Sequence, residues 1–283
     1  MVPVVSESAA PLLRAHDGTM ATGSVVRVVE VHRKSRTGAP PGFFACEAAG
    51  LRWLAAAGGA PVVEVLDVGP DHLDLVRLHP VRPDAATARA FGAALARTHD
   101  AGARAFGAPP DGWAGDGWFG PLDDPLPLHA GACDTWGAFL ADCRIAPVAQ
   151  ALRAAGLTTR QDDAALERLV EELRAGRWDD DEPPARLHGD LWQGNVVWTA
   201  AGATLIDPAA HGGHRETDLA MLELFGLPHL DAVLEGYQRV HPLPRSRRHR
   251  VALHQLYPVA VHALLFGGGH VAHTRALLHS VVS

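Results

Sequence analysis

The sequence predicts an α+β fold in two lobes, a small antiparallel-sheet N-terminal lobe with one helix and a larger, mainly helical C-terminal lobe. Three observations carry this. A β-branched run with Val25, Val26, Val28, Val29 and Val31 marks an early strand. From Ala85 onward, apolar residues recur at helical spacing in segment after segment. The break at His79-Pro80 separates the two patterns. The expected lobes are residues 1–80 and 81–283, sizes usual for compact units.

The elements follow in order. Residues 24–33 form one or two strands leading to Lys34, and the Pro40-Pro41-Gly42 stretch is a loop. Residues 43–57 are a helix with Phe44, Leu51 and Leu54 on one side, ended by Gly58-Gly59. Residues 62–68 and 73–78 read as an antiparallel pair joined at Gly69-Pro70-Asp71. Residues 85–101 are a helix, and the Gly- and Pro-rich stretch 106–127 is an ordered loop. Helices over 135–155 and 162–175 precede an acidic linker at 179–184. A hairpin pairs 196–198 with 204–206, and helices over 217–225, 230–240 and 247–265 follow. The Gly267-Gly268-Gly269 turn introduces a last helix.

Bulk properties exclude several classes. A net charge of -7 gives no basic field for nucleic acid. No apolar run reaches the ~18 residues of a membrane span, and the first residues lack the pattern of a signal peptide. Cys46, Cys133 and Cys143 cannot all pair and lack metal spacing, so they read as reduced thiols of a cytoplasmic chain. The oligomeric state is left open.

The chemistry concentrates near residue 190. The stretch Leu187-His188-Gly189-Asp190-Leu191-Trp192-Gln193-Gly194-Asn195 is followed, after the hairpin, by Leu205-Ile206-Asp207-Pro208. An Asp and an Asn at this spacing, with a second Asp returned by a hairpin, suit phosphoryl transfer from ATP with Mg2+. Asp190 is the candidate base at the attacking hydroxyl. Asn195 and Asp207 offer hard oxygens to Mg2+. Lys34 is the only lysine among 25 basic residues and precedes Glu47 on the first helix. A strand Lys paired with a helix Glu is the arrangement that holds nucleotide phosphates. Gly23 is a candidate for a phosphate-covering turn, and a plain hairpin turn explains it as well.

The polar loop after Asp207 contributes His214, Arg215 and Glu216 as candidate substrate contacts. His211, His214 and Asp218 are an alternative zinc set, but no third imidazole stands at helical spacing. Asp218 caps the following helix or bonds the catalytic-loop backbone; the second is preferred. His188 is read as structural. Trp192 is either a packing residue or a face for a sugar ring.

These segments, with Gly213-His214-Arg215-Glu216-Thr217-Asp218-Leu219-Ala220-Met221, Pro41-Gly42-Phe43-Phe44-Ala45-Cys46-Glu47 and Leu253-His254-Gln255-Leu256-Tyr257-Pro258, resemble the fructosamine kinase (ketosamine-3-kinase) family. That family belongs with the aminoglycoside phosphotransferases and choline kinases in the protein-kinase-like fold. The resemblance implies phosphorylation of the C3 hydroxyl of a small ketosamine or glycated amine, and hence deglycation. It implies Asp190 as base, Asn195 and Asp207 on Mg2+, and Lys34 with Glu47 on the phosphates. It places adenine against the inter-lobe linker at Val76 and Leu78. The rival expectations are an aminoglycoside or amino-alcohol phosphotransferase of the same fold, and a nucleotide-binding pseudokinase.

Overall fold

The computed structural model describes the backbone of residues 12–19 and 24–282, and side chains from residue 29 to 282. The first described elements form a four-stranded antiparallel sheet, in the order β1-β2-β4-β3. Its strands are β1 (Leu12–Thr19), β2 (Ser24–Ser35), β3 (Val65–Val68) and β4 (His72–Val76). β4 lies beside β2 in a register that sets Lys34 opposite Leu73. The expected pair over 62–68 and 73–78 is shorter than predicted. Its missing residues serve the other lobe: Val63 donates its N–H to Leu205 O at 3.0 Å, and Leu205 N–H returns to Pro61 O at 2.8 Å.

Helix α1 (Phe43–Ala55) covers one face of this sheet. Phe44, Ala48 and Leu51 recur at helical spacing and pack with Leu73 and Leu75. Such burial contributes about 1.5–3 kcal/mol for each large apolar side chain. Residues 77–84 then lead into α2 (Ala85–Asp100), where Asp84 caps the first turn by accepting Thr87 N–H at 2.7 Å.

The rest is mainly helical, as expected, with three departures. The 106–127 loop carries a short hairpin, β5 (Gly117–Phe119) with β6 (Leu126–Leu128). The helix expected over 135–155 is α3 (Trp136–Leu140) and α4 (Ala146–Ala154), joined by a π-helical turn over Ala141–Ile145. One extra residue in that turn shifts the apolar face, which helical periodicity alone does not foresee. The third departure is a ladder of β7 (Ala185–Leu187) with β10 (His211–Gly213), three residues on each side.

That ladder closes the base of the 188–210 excursion. Within it, a 3₁₀ turn at Gln193–Asn195 leads to the hairpin β8 (Val196–Thr199) and β9 (Gly202–Leu205). The remaining helices are α5 (Arg160–Arg174), α6 (Glu216–Phe225), α7 (Leu230–Val240), α8 (Arg247–Phe266) and α9 (Gly269–Val282). Thr159 and Asp162 form a capping box that starts α5. α2 and α7 approach so closely that a Cβ on Gly92 would lie 1.8 Å from Val233 O, and one on Gly236 1.9 Å from Arg89 O. No helix among the described residues is long and apolar enough to cross a membrane.

Candidate active site

The fold brings Lys34, Glu47, Asp190, Asn195 and Asp207 to one place between the sheet and the helical lobe. β2 delivers Lys34 and α1 delivers Glu47. The Lys34 ammonium lies 2.8 and 2.9 Å from the two Glu47 carboxylate oxygens and 3.1 Å from Asp207 Oδ1. Burial alone would lower the Lys34 pKa, but the two carboxylates outweigh it and raise it above the ordinary value. The ammonium is therefore held charged.

The loop that carries Asp190 is anchored from below by Asp218 on α6, which is fully buried. Its Oδ2 accepts His188 N–H at 2.8 Å and its Oδ1 accepts Gly189 N–H at 2.9 Å. Gly189 has φ 81, and a Cβ there would stand 2.1 Å from Ala209 O, so only glycine fits this turn. His188 ties the loop to the next segment. Its Nδ1 accepts Asp190 N–H at 3.3 Å, so its Nε2 carries the proton given to Ile206 O at 2.8 Å. Burial lowers the His188 pKa, which agrees with this neutral form.

Asn195 is buried and holds the loop in shape through its amide nitrogen. Nδ2 donates to Asp190 O at 2.7 Å and to Asp190 Oδ2 at 3.0 Å. Burial, with the charges of Asp207 and Asp218 behind it, pushes the Asp190 pKa up to about 7, against the Asn195 hydrogen bond. Asp207 adopts φ 52, one of two non-glycine residues with positive φ among the described residues. This unusual conformation turns its carboxylate to meet Lys34; such backbone costs about 1–3 kcal/mol and clusters at functional sites.

The donor set fits Mg2+. With Asn195 Nδ2 on Asp190, its Oδ1 is the amide atom left for a cation. With Lys34 on Asp207 Oδ1, the second carboxylate oxygen is left, and the Asp207 side chain is 42% exposed. Two hard oxygens, one buried on Asn195 and one exposed on Asp207, leave the rest of a shell to phosphate and water, as this ion favours.

Gly23 lies outside the described residues. Val76 donates its N–H to Glu64 O at 3.0 Å, so that group is already used within the N-terminal lobe. Leu78 and Ile206 are partly buried against the core of that lobe. Trp192 is half-buried and meets Phe225 edge-on, with centroids 6.1 Å apart.

His214, Arg215 and Glu216 require a correction. They are 1–4% exposed and engaged with protein groups, so direct substrate contact is not what this geometry offers. His214 Nε2 reaches Asp180 at 3.2 Å. Arg215 binds Glu182 at 2.6 Å and Asp100 at 2.8 Å. Glu216 accepts Arg250 Nε at 3.0 Å, with a second bond to Nη2. The acidic linker is therefore an internal ion-pair partner. The zinc set fails as well: His211 bonds Ala209 O, His214 bonds Asp180, and Asp218 holds the loop. His214, Glu216 and His254 do bring ligand atoms within 4.8 Å of one another, but the Arg250 guanidinium already occupies the Glu216 carboxylate.

Three residues unremarked in the sequence complete the support. His99 Nε2 meets Asp218 Oδ2 at 3.2 Å, and its Nδ1 meets Tyr237 Oη at 2.7 Å. His254 is buried against Trp136, with stacked centroids 4.5 Å apart. His254 lay inside a segment quoted for the family resemblance; nothing in the local sequence marks His99 or Tyr237.

Comparison with known proteins places this geometry. The family model described as fructosamine kinase matches residues 26–283. The crystal structure of a candidate fructosamine-3-kinase from Thermobifida fusca superposes with a TM-score of 0.83 at 39% identity, covering 97% of this chain and 93% of that one. A probable ketoamine kinase of Thermus thermophilus is 32% identical over 268 residues, 94% of this chain and 92% of its own. A choline/ethanolamine kinase family protein from Mesorhizobium loti shares the fold at a TM-score of 0.57 and 16% identity, covering 92% of this chain and 89% of that one.

Proposed function

Because the chain belongs to the fructosamine kinase family, we propose that it transfers the γ-phosphoryl group of ATP to the C3 hydroxyl of a ketosamine. The observation that carries the reading is the meeting of Lys34, Glu47 and Asp207 across the lobes, with Asp190 and Asn195 joined beside them.

In this reading Lys34, steadied by Glu47, holds the α- and β-phosphates. Asn195 and Asp207 would hold Mg2+, and that ion would supply neutralisation of the phosphate charge. Asp190 orients the acceptor hydroxyl and takes its proton as the oxygen–phosphorus bond forms and ADP departs. A carboxylate whose pKa lies near 7 is matched to that task at neutral pH. Asp218, His188 and His99 fix the loop so that little reorganisation is needed at the moment of transfer. Adenine lies along the linker near Leu78. A phosphate on C3 adjoins the C2 carbonyl: enolisation toward C1 lets inorganic phosphate leave from C3, and water then hydrolyses the resulting C1 imine, giving the free amine and a deoxy dicarbonyl sugar. The outcome is deglycation of a small or protein-bound amine, and the cytoplasm, with its reducing poise and ATP, suits it.

A substrate panel tests the reading. Purified protein with ATP and Mg2+ is offered fructosamines and ribulosamines, free and peptide-bound, beside aminoglycosides and choline. Phosphate transfer to ketosamines at C3 supports it. Transfer to aminoglycosides or amino alcohols alone contradicts the substrate, and transfer to nothing in the panel favours a nucleotide-binding pseudokinase.

A further inference from the structure

Helix α1 carries Glu47 in the N-terminal lobe, yet its last turn is held by a side chain of the other lobe. The final carbonyls of a helix need donors from beyond it. Arg52 O takes Ala56 N–H at 3.0 Å, Leu54 O takes Ala57 N–H at 3.1 Å and Ala55 O takes Gly58 N–H at 3.2 Å. Trp53 O accepts from Arg186 Nη1 at 2.5 Å. The same guanidinium carbon lies 4.5 Å from the centre of the buried Trp53 ring. Its Nε donates to Gly102 O at 3.3 Å, just past the end of α2. One cation therefore faces the negative ends of two helices, one from each lobe.

Arg186 stands where position can be passed on. It is the middle residue of β7, paired with Gly212 across the ladder, and four positions separate it from Asp190. Trp53 follows Glu47 on α1 by about 9 Å along the helix axis. Between them Gly50 meets the segment after Asp207. A Cβ on Gly50 would lie 3.1 Å from Ala210 Cβ and 3.5 Å from Pro208 Cγ. The helix that carries Glu47 is thus tied to the strand leading into Asp190 and packed on the residues that follow Asp207.

We infer that Arg186 is a positioning residue for the nucleotide site: by clamping the end of α1 onto β7 it sets Glu47 against Lys34, where the ammonium also reaches Asp207. The inference rests on the proposed kinase reading of that trio. Lys34 then meets the phosphates with its ammonium already placed. A guanidinium suits the clamp, because one flat group stacks on the Trp53 ring and donates to two carbonyls. An ammonium is a point charge and cannot do both.

Equilibrium binding of Mg-ATP, read by calorimetry, tests this in a double-mutant cycle of Arg186→Ala with Glu47→Ala. No acceptor is needed, so the result does not depend on the substrate. Arg186→Ala should weaken binding about threefold to thirtyfold, and Arg186→Lys should fall between it and the wild type. In the Glu47→Ala background, removing Arg186 should weaken binding by less than about twofold, because the group it positions is gone. A clamp that served the fold alone would lower the melting temperature in both backgrounds, with no dependence of affinity on Glu47. Should the alanine variant not fold, Arg186→Lys runs the same cycle. Wild-type affinity in the folded Arg186 variants, or losses that multiply with Glu47→Ala, overturn the inference and leave the kinase reading standing. Failure of the wild type to bind Mg-ATP overturns the kinase reading and the inference with it.

Discussion

The Lys34 ammonium is 3.1 Å from the carboxylate of Asp207, 173 positions later in the chain, while it holds both oxygens of Glu47. Three carboxylate oxygens converge on one nitrogen. A point charge with freely rotating donors suits that geometry, and a planar guanidinium does not. Lys34→Ala should lower kcat/KM by about a thousandfold and Lys34→Arg by about ten- to a hundredfold despite equal charge. Steady-state kinetics with varied nucleotide checks this, and an Arg variant with wild-type kcat/KM speaks against the phosphate role.

Asp218 supports the loop without facing the reaction. Asp218→Ala strips the acceptor from His188 N–H, Gly189 N–H and His99 at once, leaving buried donors unpaired. The expected cost is about 3 kcal/mol in urea unfolding, with kcat reduced. Asp218→Asn, which keeps one acceptor oxygen, should lose less. Stability unchanged in the Ala variant would remove Asp218 from this role.

The buried imidazoles set an acid limit. Burial lowers the His254 pKa to about 4 and the His211 pKa to about 3, below the ordinary 6.5. The unfolded chain takes up these protons first as pH falls. Their contribution is complete above about 6.5 and is lost as pH drops through the two folded values. Glu216 follows. Burial alone would raise its pKa, but His254 and Arg250 bring it to about 2 from 4.5, so its contribution disappears between those values. The raised Asp190 pKa acts in the opposite direction over this range, so the difference carries the test: the wild-type urea midpoint should fall more between pH 6.5 and 4 than that of His254→Gln. The same pH dependence in both proteins contradicts the assignment.

The α2–α7 contact leaves no room for a methyl group. Gly92→Ala sets a carbon against the Val233 carbonyl, where backbone must move to relieve it. The expected loss is about 3 kcal/mol, seen as a lower melting temperature. Tyr237, one position beyond the contact residue Gly236, carries the disturbance to His99. A melting temperature equal to the wild type would show that the helices separate freely.

Legibility in the sequence follows contact range. Asp190 and Asn195 share one loop, and a short hairpin returns the chain to Asp207, so the grouping could be read from spacing. Lys34 and Glu47 are joined by one strand, one loop and one helix. The β7–β10 ladder was not legible, because three residues ending in Gly212 and Gly213 carry no strand pattern. Nor was the His99–Asp218 contact, whose partners are 119 positions apart. His214, Arg215 and Glu216 were read outward because polar residues beside a phosphate site usually face it. Their partners Asp180, Glu182 and Arg250 arrive from elements that local sequence does not connect, and the pairing draws all three inward.

Asp190→Asn tests the central claim most directly. Nucleotide affinity and single-turnover phosphate transfer to a ketosamine are measured on the same preparation. Binding rests on Lys34, Asp207 and the linker, so affinity should stay within about twofold, while transfer falls by about 10² to 10⁴. Transfer at a near wild-type rate would contradict Asp190 as the base and the account built on it.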